Sequence, residues 1–352
     1  KWSYPAYFAH TKRPDRIWGY AALDTDRFRS PARSIFDRND YGSDVMGPQI
    51  YSDLAGRNEA FNRTGAMFKD AFGHAERLGV KTAVGTELPM GVERKGPEVE
   101  ADWVRGISPA LQAHLKEKGL DPTDPKVIKA IYKGIFTRIL KTHHLDYYWL
   151  WTWEVWQAYD MTPAQIDALK QDIALAREAL AELGNPFQIA MAGWKIGSAD
   201  NPGEFDDPEL LPYEAPIMGL WDEAESFEEL SRQRKKWPAT WFEEDWGLAQ
   251  PQLDVSRIWP DVHAALEKGG PGLIAKHWRT RILSPNAAAL RDLTWAYGTT
   301  SAPPGRTLPG RKDRWRSDFY QRWATIQFGR EVGAEAGAIF ASLDKSGINN
   351  PV

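Results

Sequence analysis

The sequence predicts an α/β fold, a (β/α)8 barrel, and two regularities predict it. Short apolar runs that read as strands alternate with longer segments of helical period, which implies parallel strands joined by helical crossovers. Charged and aromatic residues then collect just past those runs: Glu87, Glu154, Trp194-Lys195, Glu243-Glu244-Asp245 and His277 each follow one. A (β/α)8 barrel gathers its functional groups at the C-terminal ends of its strands. The rival is an open doubly wound sheet, but no Gly-x-Gly-x-x-Gly follows any strand. Fewer strands are clear than the eight a barrel requires. The remainder is expected in the irregular ends of the chain, or the barrel is incomplete at its N-terminus.

Residues 1–55 are irregular, with Ile17 to Leu23 as their strand-like run, and are expected to pack on a catalytic domain spanning 56–352. A helical period from Ala55 to Leu78 is carried by Phe61, Met67, Phe68, Phe72 and Leu78 and closed by Gly79. Val80 to Glu87 reads as a short apolar strand, and a polar loop rich in Gly and Pro leads to Pro125. Asp124-Pro125 supplies an N-cap and first turn for a helix through Ile131, Ile135 and Leu140. The aromatic run from Tyr147 to Trp151 is a buried strand by composition. Thr162-Pro163-Ala164-Gln165 is a capping box for a helix through Ile166, Leu169, Ile173 and Leu180 to Gly184.

Phe187 to Gly193 is the next strand and delivers Trp194-Lys195. Ser226 and Glu229 start a helix that Trp237-Pro238 ends, and the basic run Arg232 to Lys236 is its solvated face. Ala239 to Phe242 is a brief strand running into Glu243. A helix from Asp261 to Lys268 is closed by Gly269-Gly270. Gly272 to Ala275 is a strand delivering Lys276-His277-Trp278-Arg279. Ser284-Pro285 opens another helix, with Ser284-Pro285-Asn286 read as its cap. A loop from Ser301 to Arg311 precedes one last long helix, Asp318 to Leu343.

Composition narrows the function. The chain has 352 residues and a net charge of −4, no footprint for nucleic acid or an acidic membrane. No apolar run approaches the roughly 18 residues of a membrane span. Zero cysteines exclude disulfides, thiol catalysis and Cys-ligated metal. No phosphate-binding Gly-rich loop and no His-Glu-x-x-His is present, so no cofactor or metal is expected. Lys1-Trp2-Ser3-Tyr4-Pro5 reads as a mid-protein start, so the sequence is expected to be a mature or trimmed portion of something longer. A periplasmic or secreted setting is expected, although a cysteine-free chain fits the cytoplasm as well. Asn62-Arg63-Thr64 is a sequon inside a helical pattern and reads as chance. Nothing in the sequence sets an oligomeric state.

The seventeen tryptophans are the compositional anomaly, and many stand in or beside loops. Glu154 follows Trp151-Thr152-Trp153 and precedes Trp156. A carboxyl among indole rings is costly when ionised, so it can stay protonated near neutrality; the other reading is a core strand whose Glu reaches solvent at a loop. Indole faces also suit the apolar C–H faces of sugar rings. Hydrolysis of a glycosidic bond needs such an acid together with a second, ionised carboxylate. Glu243, Glu244 and Asp245, bracketed by Trp241 and Trp246, supply candidates for it; an acidic triplet also reads as a solvated loop. Glu87 and Lys195 can bind hydroxyls or serve as a loop cap and a surface lysine. His277-Trp278-Arg279-Thr280-Arg281 places two guanidiniums at alternate positions, a clamp for an acidic sugar or partners for the protein's own acids. His143-His144-x-Asp146 precedes its strand and falls at the opposite end of a barrel, which argues against a metal role.

At Trp151-Thr152-Trp153-Glu154, Phe242-Glu243-Glu244-Asp245-Trp246-Gly247 and Lys276-His277-Trp278-Arg279 the chain resembles (β/α)8 glycoside hydrolases, over roughly residues 80–300. Glu243-Glu244-Asp245-Trp246 and Gly269-Gly270 are also similar to segments of the bacterial α-glucuronidases. The resemblance implies polysaccharide or oligosaccharide cleavage with an acid after the fourth strand, where Glu154 falls if Val80 to Glu87 is the third. It departs from the large retaining clan in carrying His277, not an acid, after the late strand, and leaves the stereochemical outcome open. A carbohydrate-binding protein without catalysis and a polysaccharide lyase with His277 or a tyrosine as base are the competing readings.

Overall fold

A computed structural model of the chain describes residues 54–88, 115–121, 123–152, 163–193, 205–219, 233–242, 253–267, 273–276, 283–298 and 312–345. The chain divides into two compact units, Lys1–Ile217 and Met218–Val352.

The first unit runs α1 (Leu54–Arg77), β1 (Ala83–Leu88), α2 (Pro125–Thr142), β2 (Tyr147–Thr152), α3 (Pro163–Ala181) and β3 (Gln188–Gly193), and the chain leaves it in β4 (Ile217–Gly219). Strands β1, β2 and β3 lie side by side in chain order and pair in parallel, Gly85 opposite Trp149 and Trp149 opposite Ala190. Asp124 caps α2 as its sequence predicts: its carboxylate accepts from the Lys126 N–H at 2.8 Å, and Pro125 takes the first turn. The helix buries Val127, Ile128, Ile131, Tyr132, Ile135, Phe136 and Ile139, each such aliphatic or aromatic side chain contributing about 1.5–3 kcal/mol by leaving water.

One face of β2 holds this helix layer. Tyr148, Leu150 and Thr152 are buried. The Tyr148 ring meets Phe136 edge-on at 4.7 Å, and Phe136 meets Phe187 at 5.2 Å. Helices α2 and α3 are tied by the Tyr132 hydroxyl, which donates to the buried Asp172 carboxylate at 2.8 Å. Burial, and then the Asp172 charge, push the Tyr132 phenol well up, so it stays a donor.

Strand β1 starts later than its apolar run suggests, at Ala83 and not Val80, and ends at Leu88. The end of α1 consumes the difference. The Gly79 N–H donates to the Glu76 carbonyl and the Val80 N–H to the Ala75 carbonyl, closing the helix and leaving Val80 exposed.

The second unit contains β5 (Lys236–Trp237), β6 (Ala239–Trp241), α4 (Val255–Glu267), β7 (Ile274–Lys276), α5 (Ser284–Gly298), α6 (Lys312–Phe328) and α7 (Arg330–Lys345). Strands β6 and β7 pair in parallel with α4 between them in the chain, another βαβ unit. The core lies among the helices, with Phe242, Val255, Ile258, Val262, Leu293 and Phe319 in one cluster.

Four sequence expectations change here. Residues 233–237 form a turn and then β5, not a helix end, because Pro238 disfavours helical geometry at Trp237. Arg234, expected on a solvated face, is buried. Helix α4 begins six residues before Asp261, on the Asp254 carbonyl, which accepts from Arg257 and Ile258. It continues through Pro260 because Val255, Ile258, Trp259 and Val262 are buried on both sides of it. The expected single helix from Asp318 is two. Gly329 adopts φ 90°, open to glycine at little cost, and turns the chain back. The returning helix packs so closely that a Cβ on Gly337 would stand 2.6 Å from the Gln321 Cα.

Candidate functional site

Side chains alternate across a strand, so the face of β2 opposite the helix layer carries Tyr147, Trp149 and Trp151. The two indoles meet at 5.7 Å between ring centroids and 65° between planes. Their neighbours on the flanking strands are small. Trp149 lies opposite Gly85 on β1 and Ala190 on β3, and Trp151 lies opposite Ala192. Any larger residue at Gly85 collides with the strand itself, because a Cβ there would stand 2.0 Å from the Trp149 carbonyl oxygen. The result is an aromatic pair bordered by a glycine and alanines. Trp149 is the residue that strand-end reasoning misses; its period-two relation to Trp151 is the available signal. Its Nε1 is buried and has no acceptor among the described residues.

Glu87 sits in β1 opposite Trp151, one residue from the strand's C-terminal end. Leu88 pairs with Thr152 there. Because β1, β2 and β3 are parallel, their C-terminal ends share one edge of the sheet. Thr152 is the last described residue before Trp153 and Glu154, and Gly193 the last before Trp194 and Lys195. Thr152 is fully buried, and its hydroxyl has no partner among the described residues.

The second unit repeats this arrangement on a smaller scale. Trp241, half-buried, pairs with Lys276, so the C-terminal ends of β6 and β7 lie side by side, and Glu243 and His277 follow them in the sequence. The Phe242 ring is buried in the helical cluster, and its carbonyl accepts from Asn286 Nδ2 at 2.8 Å. Asn286, a helix cap by its local sequence, is instead fully buried, and its Oδ1 accepts from the Asp254 N–H at 3.1 Å. Glu154, Glu243, Glu244, Asp245, Trp153, Trp156, Trp194, Lys195, Trp246, His277, Trp278, Arg279 and Arg281 lie outside the described residues, as does the side chain of Glu87.

At the opposite, N-terminal edge of the first sheet stands His143-His144-x-Asp146. His143 is buried, its ring edge-on to Phe72 at 4.8 Å, and Nδ1 donates to the His144 carbonyl at 2.7 Å. Burial pushes the His143 pKa down, with the carbonyl bond opposing it. Asp146 accepts from Lys81 Nζ at 2.8 Å and from the Thr82 N–H at 2.9 Å. Its burial, which raises the pKa, is outweighed by these donors, and the carboxyl lies below its usual range. The cluster fastens the start of β2 to the chain entering β1. Among the described residues no group of three or more His, Cys, Asp or Glu is placed to hold a metal ion, and no helix is long and apolar enough to cross a membrane.

Fold and site together define a protein of parallel βα units with aromatic residues at or near the C-terminal ends of its strands. Comparison of the chain with protein-family models, curated proteins and solved structures finds no match.

Proposed function

We propose that this chain is a glycoside hydrolase acting on a polysaccharide or oligosaccharide, on a scaffold of the (β/α)8 class. The observation that supports it most is the Trp149–Trp151 pair on β2, bordered by Gly85, Ala190 and Ala192, in the strand that leads to Trp153-Glu154. Sequential parallel strands with α2 and α3 packed on each other also suit a singly wound barrel. In this reading Glu154 is the general acid that protonates the leaving oxygen. One of Glu243, Glu244 and Asp245 is the ionised partner, as nucleophile or as base for water. Trp151, Trp153, Trp156, Trp194, Trp241, Trp246 and Trp278 present faces to sugar rings, and Glu87, Lys195 and His277 bind hydroxyls. Arg279 and Arg281 pair with the carboxylate of an acidic sugar. Atoms balance simply: water supplies hydroxyl to the anomeric carbon, and its proton replaces the one Glu154 gives to the leaving group. An extracytoplasmic setting is part of the same proposal, since polymers are met outside the cell.

The test measures new reducing ends and ultraviolet absorbance on a panel of plant and algal polysaccharides, with wild type and Glu154→Gln. Hydrolysis predicts reducing ends without absorbance, and a loss on the order of 10²–10⁴-fold in the variant. Unsaturated, absorbing products would establish a lyase instead. Sugar binding by titration calorimetry with no product from either protein would establish a binding protein.

A further inference from the structure

The aromatic face of β2 is closed on one side and open on the other. Toward β3, Ala190 and Ala192 are buried. Toward β1, Ala83 is exposed and Gly85 half-buried, and Tyr147, Trp149 and Trp151 are themselves half-buried. The space beside the two indoles therefore opens over β1, above a residue with no side chain. Two features indicate what this face can take. Side chains alternate across a strand, and no position of this face in β1, β2 or β3 is Lys, Arg or His, so no cation there answers an anion. The second feature is the choice of an indole. Trp149 Nε1 is buried and has no acceptor among the described residues, a penalty that a phenylalanine in the same place would avoid. What tryptophan adds is the broader apolar ring face. Such a face suits the C–H side of a pyranose, whose hydroxyls then lie at the rim.

We infer that Trp149, together with Trp151, binds a neutral pyranose unit over β1, a unit other than the acidic sugar proposed for Arg279 and Arg281. This rests on the reading of the chain as a protein that acts on carbohydrate. It goes beyond that reading in naming the class of sugar and a binding residue inside the strand, two positions before Trp151. The two indoles stand at 65° with 5.7 Å between centroids, so a ring stacked on one has the other at its margin. Gly85 keeps the approach clear, since any side chain there would stand against Trp149, with its Cβ 2.5 Å from the Trp149 Cβ. Ala83, exposed and opposite Tyr147, is the next residue of β1 on the same face.

The experiment titrates neutral pentasaccharides of glucose, xylose, galactose and mannose, and an oligogalacturonate, into the whole chain by calorimetry. Wild type is compared with Trp149→Phe and Ala83→Leu, and the Tm of each protein is measured without sugar. Wild type should bind at least one neutral oligomer. Trp149→Phe should weaken that binding on the order of tenfold, as truncation of an aromatic anchor does. Its Tm should change little, because losing the orphaned N–H offsets the smaller ring. Ala83→Leu narrows the open side from an exposed position and should also weaken neutral binding with Tm unchanged. Binding of the uronate oligomer, where it occurs, should respond to neither substitution. The inference is overturned if no neutral oligomer binds, if neither substitution changes its affinity, or if uronate binding falls in both variants. It is overturned too if only Trp149→Phe loses affinity and its Tm falls with it, the mark of a structural role. Reducing ends measured on the same oligomers separate this inference from the hydrolase reading. Cleavage by wild type with neutral binding unmoved in both variants rejects the inference alone. Neutral binding lost in the variants, with no cleavage by wild type, upholds the inference and rejects the hydrolase.

Discussion

The two units solve one problem, presenting the C-terminal ends of parallel strands, by different means. In the first unit β1, β2 and β3 are six residues long, Tyr148, Leu150 and Met191 are wholly buried, α2 is laid against β2 through Phe136 on Tyr148, and α3 is tied to α2. In the second unit β6 and β7 are three residues each. Beside its pairing with β7, β6 is fastened by side chains from helices: Asn286 donates to the Phe242 carbonyl, and the Asp261 carboxylate accepts from the Thr240 hydroxyl. Substitutions that loosen the strands should therefore cost most within the sheet of the first unit and at the helix-borne partners of β6 in the second.

The largest expected effect is at Gly85. A Cβ would meet the Trp149 carbonyl at 2.0 Å and the Trp149 Cβ at 2.5 Å, all in neighbouring strand, with nothing flexible to yield. Gly85→Ala should cost at least about 3 kcal/mol. Gly337→Ala meets backbone too, at 2.6 Å from the Gln321 Cα. It lies between α6 and α7, which can move apart as helices, so the cost should be nearer about 2 kcal/mol. Calorimetry separates the outcomes. Gly85→Ala should lower the transition further than Gly337→Ala, and the reverse order would mean that the strand backbone yields more readily than the helix pair.

Charge gives the comparison a sign. Asp146 in the first unit has a lowered pKa, since Lys81 and Thr82 outweigh its burial. Its stabilisation is present above the unfolded value of about 3.9 and is lost as pH falls through the folded value. Asp344 in the second unit is the reverse. Burial raises it, against the Ser256 N–H and the Tyr320 hydroxyl, which both donate to Oδ2 at 3.1 and 2.9 Å. Its contribution is greatest below about 3.9 and is lost as pH rises through the raised folded value. Asp146→Asn should therefore destabilise the first unit at pH 7 and converge on wild type in acid. Asp344→Asn keeps an acceptor for both donors and should be neutral or stabilising at pH 7, whereas Asp344→Ala orphans them at about 1–3 kcal/mol each. Urea unfolding at pH 7 and pH 3.5 measures all three. If Asp146→Asn and Asp344→Asn respond to pH with the same sign, the assignment of burial against pairing is wrong.

Legibility in the sequence divides between local and distant causes. Asp124-Pro125, the Tyr147–Thr152 strand and the helix closures at Gly79 and Gly184 are readable because cap, alternation and turn are local. The break at Gly329 is not. An isolated glycine inside a helical period is tolerated, and what turns it into a corner is the packing of Gly333 and Gly337 on Thr325 and Gln321. Asn286 resembles a cap because Ser-Pro-Asn is a cap by local rules, while its two partners lie 44 and 32 residues away. Trp149 is hidden from reasoning that looks to strand ends; its small neighbours, Gly85 and Ala190, become neighbours only through strand pairing. The acids proposed for catalysis rest on sequence alone.

The smallest effect tests whether the α2–α3 contact is held by its buried bond or its surface charges. Tyr132 and Lys133 are adjacent on α2, yet the first donates to Asp172 in the interior and the second pairs with Glu182 at 2.7 Å in solvent. Tyr132→Phe removes a hydrogen bond to a buried carboxylate and should cost about 1.5–3 kcal/mol. Lys133→Met removes a pair whose two side chains are 45 % and 42 % exposed, where solvent screening and side-chain entropy cancel most of the attraction. Lys129, which also bridges to Glu182 at 3.2 Å, remains in place. The Tm of Lys133→Met should match wild type within replicate scatter at about 150 mM salt, and any difference should shrink further at about 1 M. A loss as large as that of Tyr132→Phe, and insensitive to salt, would mean that the charged face of α2 is shielded from solvent in the folded protein.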